Sequence, residues 1–333
     1  IEAGLKYLVM SSAGSATILL GFSILYGLTG TLNFAELAAI APQISGIWGS
    51  ISLILLIVGF GVKAAIFPLH MWLPDAHPAA PTPISALLSG IVIKAGVYAI
   101  LRSLFTFFLP TNFSWQTVIA VISILTMSFG NLAAILQDDV KRLLAYSSIA
   151  QIGYIFFAIA TAANPSTLTI GLTAALLHIL NHALMKGLLF LCAGAFIYRA
   201  ETRSLKGLAG IGHKMPVTAI AFTIGALAIS GLPSLNGFVS ELMIAYAGIK
   251  ANMLVYTAIF LINILLGFAY YLRLIRIVVW STPNEKLDKV KSAPYLMIIP
   301  VLLLTVSCMI IGVYPAPFIE IASKAAEALI SYL

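Results

Sequence analysis

The chain has 333 residues, 61% of them hydrophobic and 9% charged, with a mean hydropathy of +1.06 and a formal net charge of +7. A soluble domain is about a quarter charged, so this composition excludes a water-facing surface and makes lipid the solvent. The positive excess lies between long apolar runs and forms no solvated basic face, which excludes nucleic-acid binding. Cys192 and Cys308 stand singly in such runs and give neither metal-ligand spacing nor a disulfide framework.

A helix needs about 20 apolar residues to cross a bilayer core of ~30 Å. Runs of that kind cover 5–28, 46–67, 84–108, 116–136, 143–162, 167–198, 216–247, 254–277 and 294–314, predicting nine transmembrane helices. A shorter stretch at 316–333 carries Glu320, Lys324 and Glu327 and reads as an interfacial tail. The chain starts at Ile1 with no signal-peptide pattern and reads as lacking its natural N-terminus. Alternating spans put Lys6, Lys141, Arg142, Arg199, Arg203, Lys206, Lys214, Arg273, Arg276, Lys286, Lys289 and Lys291 on one side. Only Arg102, Lys250 and Lys324 fall on the other. The positive-inside bias assigns the first side to the cytoplasm and the C-terminus to the opposite side.

Two spans are interrupted. The run at 46–67 meets Pro68, Pro74, Pro78, Pro81 and Pro83, and the run at 216–247 contains Gly231, Pro233, Asn236 and Gly237. Proline removes a backbone donor and frees carbonyls. At membrane depth freed groups are tolerated only against protein or a wet cavity, and paired interruptions are the mark of transporters built from inverted repeats. Proline kinks that serve only packing are the alternative.

Besides the basic residues already assigned to a side, three lysines, two histidines and a glutamate lie inside the runs: Lys63, Lys94, His178, His182, Lys186 and Glu241. Each charge at mid-membrane costs at least ~2.5–3.5 kcal/mol, so they are expected to face one another or water as a continuous polar track. His178, His182 and Lys186 recur every four residues and make one stripe on a helix, with Asn181 beside it. Lys186 and Glu241 are expected to form one proton-loading unit. Structural readings stand beside these: Lys63 can snorkel to a boundary, Glu241 can close a salt bridge, and Lys141 beside Asp138, Asp139 and Arg142 can be an interfacial anchor. Trp72, Tyr146 and Tyr154 fit aromatic belts or helix packing. Phosphate-cradling glycine loops, iron–sulfur cysteine clusters and nucleophile–base pairs are absent, so no catalytic residue, cofactor or metal is expected on this chain.

Four segments carry a resemblance: KAAIFPLHMWLPDAHPAAPTPISALLSGIVIKAGVYAILR from Lys63 to Arg102, QDDVKRLLAYSSIAQIGYI at 137–155, LLHILNHALMKGLLF at 176–190 and SGLPSLNGFVSELMI at 230–244. Together they resemble the antiporter-like membrane subunits of complex I, of multisubunit cation/proton antiporters and of membrane-bound hydrogenases. The resemblance implies an all-α polytopic fold of inverted five-helix repeats with two broken helices. Residues 1–108 would hold the last three helices of the first repeat, 109–280 the second repeat, and 281–333 a closing helix and tail. It maps an ion relay onto Lys63, Lys94, Lys141, His178, His182, Lys186 and Glu241. It also implies other membrane subunits as partners, antiporter-like paralogues among them, with peripheral redox subunits acting indirectly. Two departures stand out: family members pair the lysine matched by Lys63 with an acid on a helix upstream of residue 1, and many carry lysine where Glu241 stands. The function implied is proton or sodium translocation in a respiratory membrane complex. A stand-alone solute carrier and a structural subunit with an inactive relay are the alternatives.

Overall fold

The computed structural model describes residues 1–283, 287–288 and 290–331; Lys286 and Lys289, counted among the basic residues, lie outside them. The described residues form thirteen helices and no strand. In chain order these are α1 (Glu2–Thr29), α2 (Phe34–Ile40), α3 (Gly46–Ala64), α4 (Leu73–Ala79), α5 (Thr82–Thr106), α6 (Trp115–Ile135) and α7 (Val140–Thr161). There follow α8 (Leu168–Ala200), α9 (Pro216–Ile229), α10 (Asn236–Lys250), α11 (Leu254–Trp280), α12 (Tyr295–Val313) and α13 (Ala316–Ile330).

Eight of these helices are long and apolar enough to cross a membrane. The span expected at 216–247 is instead the pair α9 and α10, of 14 and 15 residues, each too short to cross alone. At the other interruption α3 stops at Ala64 because Ala65 turns left-handed (φ 57°), three residues before the expected end. The tail helix α13 packs Ala322, Ala326 and Leu329 inward against α8, while Glu320 and Lys324 pair on its exposed face at 2.7 Å.

Helix α7 is the axis of the bundle. Nearly all of its length is buried, because other helices pack on every side of it. Asp139 starts it by accepting from the amides of Lys141 and Arg142 at 2.8 and 3.0 Å, satisfying two of the orphan first-turn donors. Against α7 lies α6, and the two backbones meet at Gly130 and Gly153. A Cβ on Gly130 would come within 2.5 Å of the Ala150 amide, and one on Gly153 within 2.6 Å of the Met127 amide. Small residues at such crossings let membrane helices touch backbone to backbone. Helix α8 packs along the other side of α7 and in turn contacts α9, α10 and α12. Its 33 residues run about 50 Å at 1.5 Å per residue, longer than the hydrocarbon core. Helices α1 and α12 are largely exposed and form the rim.

Candidate ion relay

The stripe on α8 is buried and faces a second stripe on α7 made by Leu144, Ser147, Ser148 and Gln151. Residues three and four apart on a helix share a face, so both stripes follow from spacing. Lys186 is fully buried and its Nζ donates to three oxygens: the Leu144 carbonyl at 2.9 Å, Ser147 Oγ at 2.8 Å and the Tyr271 hydroxyl at 3.1 Å. Ser147 and Tyr271 are joined at 2.5 Å. Lys94 donates to the Ser89 carbonyl, and Ser89 Oγ meets Ser148 Oγ at 2.7 Å. Ser148 shares the Leu144 carbonyl with Lys186, so one α7 carbonyl links the surroundings of the two lysines. Lys94 also interacts electrostatically with His178, His182 and Lys186.

Between them stands His182, fully buried, with neither ring nitrogen in a protein hydrogen bond. Its ring lies 6.3 Å from that of His178 at an interplanar angle of 3°. His178 is held at both nitrogens, Nδ1 to Ser240 Oγ at 2.9 Å and Nε2 to Gln151 Oε1 at 2.7 Å. Gln151 also engages the side chain of Glu241, which is buried and whose Oε1 has no partner. The proton-loading unit expected of Lys186 and Glu241 does not take the form of a direct ion pair. No ion pair among the described residues includes Lys94, Lys186 or Glu241. Lys186 is occupied by α7 and α11 oxygens, whereas Glu241 is reached through Gln151 and His178.

The second break serves this site directly. Gly231 takes φ 73°, and Gly237 lies so close to the Ala228 carbonyl that a Cβ there would overlap it. The Ile229 carbonyl, at the end of α9, accepts from Gln151 Nε2 at 3.3 Å. On the far side of Pro233, the Asn236 carbonyl accepts from Asn181 Nδ2 at 2.7 Å. Side chains of the relay thus satisfy backbone groups at the break, as polar groups at this depth require.

The first break is organised differently. Trp72 Nε1 donates to the Val62 carbonyl at 2.8 Å, and the Phe67 amide, beside Pro68, donates to Thr126 Oγ1 at 3.2 Å. Pro74 sits in the first turn of α4, where a missing donor is harmless. Lys63, half-buried, donates to Ser11 Oγ at 2.5 Å and to the Ser11 carbonyl at 3.2 Å, and lines a cavity of about 260 Å³ with Tyr7, Phe60 and Trp72. Among the described residues it shares no hydrogen bond or ion pair with another relay residue. Lys141 is buried at the start of α7, with Nζ on the Ala80 carbonyl at 2.5 Å. Beside it lies a cavity of about 610 Å³ lined by Lys6, Asp75, Asp139, Arg142 and Arg203, whose charges pair as Lys6–Asp75, Arg142–Asp75 and Arg203–Asp139.

His77 was not singled out from the sequence. It lies on α4, fully buried, stacked on Phe190 at 4.7 Å, with both nitrogens lacking partners. Phe190 is one turn past Lys186 on α8, and Ala80, three residues after His77, holds Lys141, so His77 lies between the Lys141 end of the bundle and its middle. Ser147, Ser148 and Gln151 were also missed, although their spacing inside QDDVKRLLAYSSIAQIGYI marks a polar face on an otherwise apolar helix.

Residues 1–267 match the family described as NADH:quinone oxidoreductase/Mrp antiporter, TM. The chain is 32% identical over 342 residues to the F(420)H(2) dehydrogenase subunit N of Methanosarcina mazei, covering 100% of this chain and 68% of that protein. It is 40% identical over 249 residues to hydrogenase-4 component B of Escherichia coli, covering 72% of this chain and 37% of that protein. It superposes on a chain of the membrane-bound sulfane sulfur reductase, an archaeal respiratory membrane complex, with a TM-score of 0.89 and 36% identity, covering 99% of this chain and 66% of that one. The chain therefore spans between about a third and two thirds of the length of these relatives. A family match over most of the sequence, four motifs in order and a helical bundle with two breaks agree, and the chain belongs to the NADH:quinone oxidoreductase/Mrp antiporter family of membrane proteins.

Proposed function

We propose that the chain is an antiporter-like subunit of a multisubunit respiratory membrane complex and moves protons along the buried relay, coupled to redox chemistry elsewhere in that complex. The observation that carries this reading is the run of buried titratable and hydrogen-bonding side chains from Lys141 and His77 through Lys94, Lys186 and the two histidines to Glu241. A purely structural bundle would replace such groups with apolar ones, because each charge is expensive in lipid.

The chemistry of each member suits the role. The Lys186 ammonium is held by three oxygens, so the charged form has a ready cradle. A neutral imidazole accepts at one nitrogen and donates at the other, and His182, free at both, can hand a proton from the lysines toward His178. Gln151 holds His178 and the Glu241 side chain in register. Opposite charges attract by about 4 kcal/mol at 4 Å in an effective dielectric of 20, so moving one charge changes the occupancy of its neighbours. The basic end, with the cavity beside Lys141, faces the cytoplasm in this reading. Other membrane subunits, including antiporter-like paralogues, flank the bundle.

The test is acidification of sealed vesicles per redox turnover by the purified complex. Lys186→Met, similar in length but unable to titrate, is expected to abolish it while the complex assembles. Full pumping by an assembled Lys186→Met complex overturns the reading, and sodium uptake in place of proton uptake would change the ion and keep the relay.

A further inference from the structure

Beside Glu241 lies a polar cluster that the relay does not use. Asn131 of α6, Tyr154 of α7, and Asn263 and Tyr270 of α11 are all buried. Asn131 Nδ2 donates to the Asn263 carbonyl at 2.9 Å, to Asn263 Oδ1 at 3.0 Å and to the Tyr154 hydroxyl at 3.2 Å. Its Oδ1 accepts from the Tyr270 hydroxyl at 3.0 Å. Asn263 is fixed in turn, donating to the Ile259 carbonyl at 2.9 Å and Ser128 Oγ at 3.1 Å.

Donor and acceptor identities here are forced. A backbone carbonyl only accepts, so the Asn131 atom facing the Asn263 carbonyl must be the nitrogen, and the same argument through Ile259 fixes Asn263. Asn131 Oδ1 has no proton, so Tyr270 must donate to it. Asn131 Nδ2 has no lone pair to offer, so Tyr154 must accept from it. The Tyr154 hydroxyl proton is therefore left for another acceptor. The ring is locked edge-on against Phe260 at 4.9 Å and lies 6.1 Å from the His178 ring. The Glu241 carboxylate and Ile264, the residue after Asn263 on α11, both approach the point where a side chain on Gly231 would begin, and Glu241 Oε1 is a buried acceptor lacking a partner. Gly267 leaves open the point where a side chain would begin; the Tyr270 hydroxyl, Asn131 Oδ1 and the Tyr154 hydroxyl surround that point at 3.8, 3.9 and 3.9 Å. Such a site, polar on several sides, suits a bridging water.

We propose that Asn131 is a positioning residue for the Glu241 site: by donating to Tyr154 and accepting from Tyr270, it turns the Tyr154 hydroxyl proton toward a water shared with the Glu241 carboxylate. The inference rests on the relay reading above and adds to it a donor that stabilises Glu241 when it has released its proton. Of the neighbouring relay groups, Lys186 already serves the Leu144 carbonyl, Ser147 and Tyr271, and Gln151 serves His178 and the break.

The experiment compares three variants of the whole complex in vesicles, with infrared difference spectra and proton uptake per turnover as readouts. The bands of Glu241 are those removed by Glu241→Gln. Tyr154→Phe keeps the ring and deletes only the hydroxyl. Asn131→Asp keeps the shape but cannot donate to Tyr154, so that hydroxyl turns back to the new carboxylate. Both are expected to shift the Glu241 carboxyl and carboxylate bands and to slow uptake about tenfold, the scale of losing one hydrogen bond to a charged group. Unshifted bands in both Tyr154→Phe and Asn131→Asp overturn the positioning role. Normal pumping by Glu241→Gln overturns the relay reading itself, a separate result.

Discussion

The Oε2 oxygen of Glu241 occupies the space that a side chain on Gly231 would fill. The break in the α9–α10 pair and the buried acid are thus one feature: the left-handed turn at Gly231 makes room for the carboxylate five residues beyond the break's end. Gly231→Ala would meet both the carboxylate and the ~1–2 kcal/mol penalty of a left-handed non-glycine residue. The variant is expected to assemble with a lowered melting temperature and to lose most of its proton uptake. Uptake at the unsubstituted level would separate the break from the function of Glu241.

Lys186 and Glu241 share no hydrogen bond or ion pair, and Lys186 is held by oxygens of its own. Thermal-shift measurements on Lys186→Met, Glu241→Gln and the double variant are expected to add within about 0.5 kcal/mol, as for sites without a shared contact. Uptake per turnover should not add, because either single change already breaks the relay. A coupling energy well above that figure in the stability cycle would restore the direct pair.

His77 tests whether the Lys141 end feeds the relay. A buried donor or acceptor without a partner costs about 1–3 kcal/mol, and His77→Phe removes the polar ring while keeping a stack on Phe190. The complex is expected to melt at the same temperature or higher and to pump several-fold more slowly. Unchanged uptake in this variant would assign His77 to packing.

Sidedness can be read with single cysteines at exposed positions of the two ends. Ser204→Cys in the basic connection is expected to react with an impermeant maleimide only after cells are opened, and Ser166→Cys in intact cells. Cys192 and Cys308 are buried and should contribute little background. Labelling of Ser204→Cys in intact cells would invert the topology.

Much of the fold was legible because lipid leaves few choices. A run of about 20 apolar residues must be a helix, since no other open element satisfies its backbone without water. That logic located the eight crossing helices, the two interruptions marked by Pro68, Pro74, Gly231, Pro233 and Gly237, and the stripe of His178, His182 and Lys186 on one face. The motifs from Lys63 to Glu241 identified the family.

Which buried groups meet was not legible. Spacing along one helix says what shares a face, but partners on another helix depend on how closely and at what height the two cross. The contact of Gly130 and Gly153 sets α6 against α7, and with it the meeting of Asn131 and Tyr154. The sequence alone determined that charges are buried and that two helices break. Only the tertiary structure decided that Lys186 is held by Ser147 and Tyr271, that Gln151 joins His178 to the Ile229 carbonyl at the break, and that His77 stacks on Phe190. Desolvation demands a partner for each buried polar group without naming it, and helix packing supplies the name.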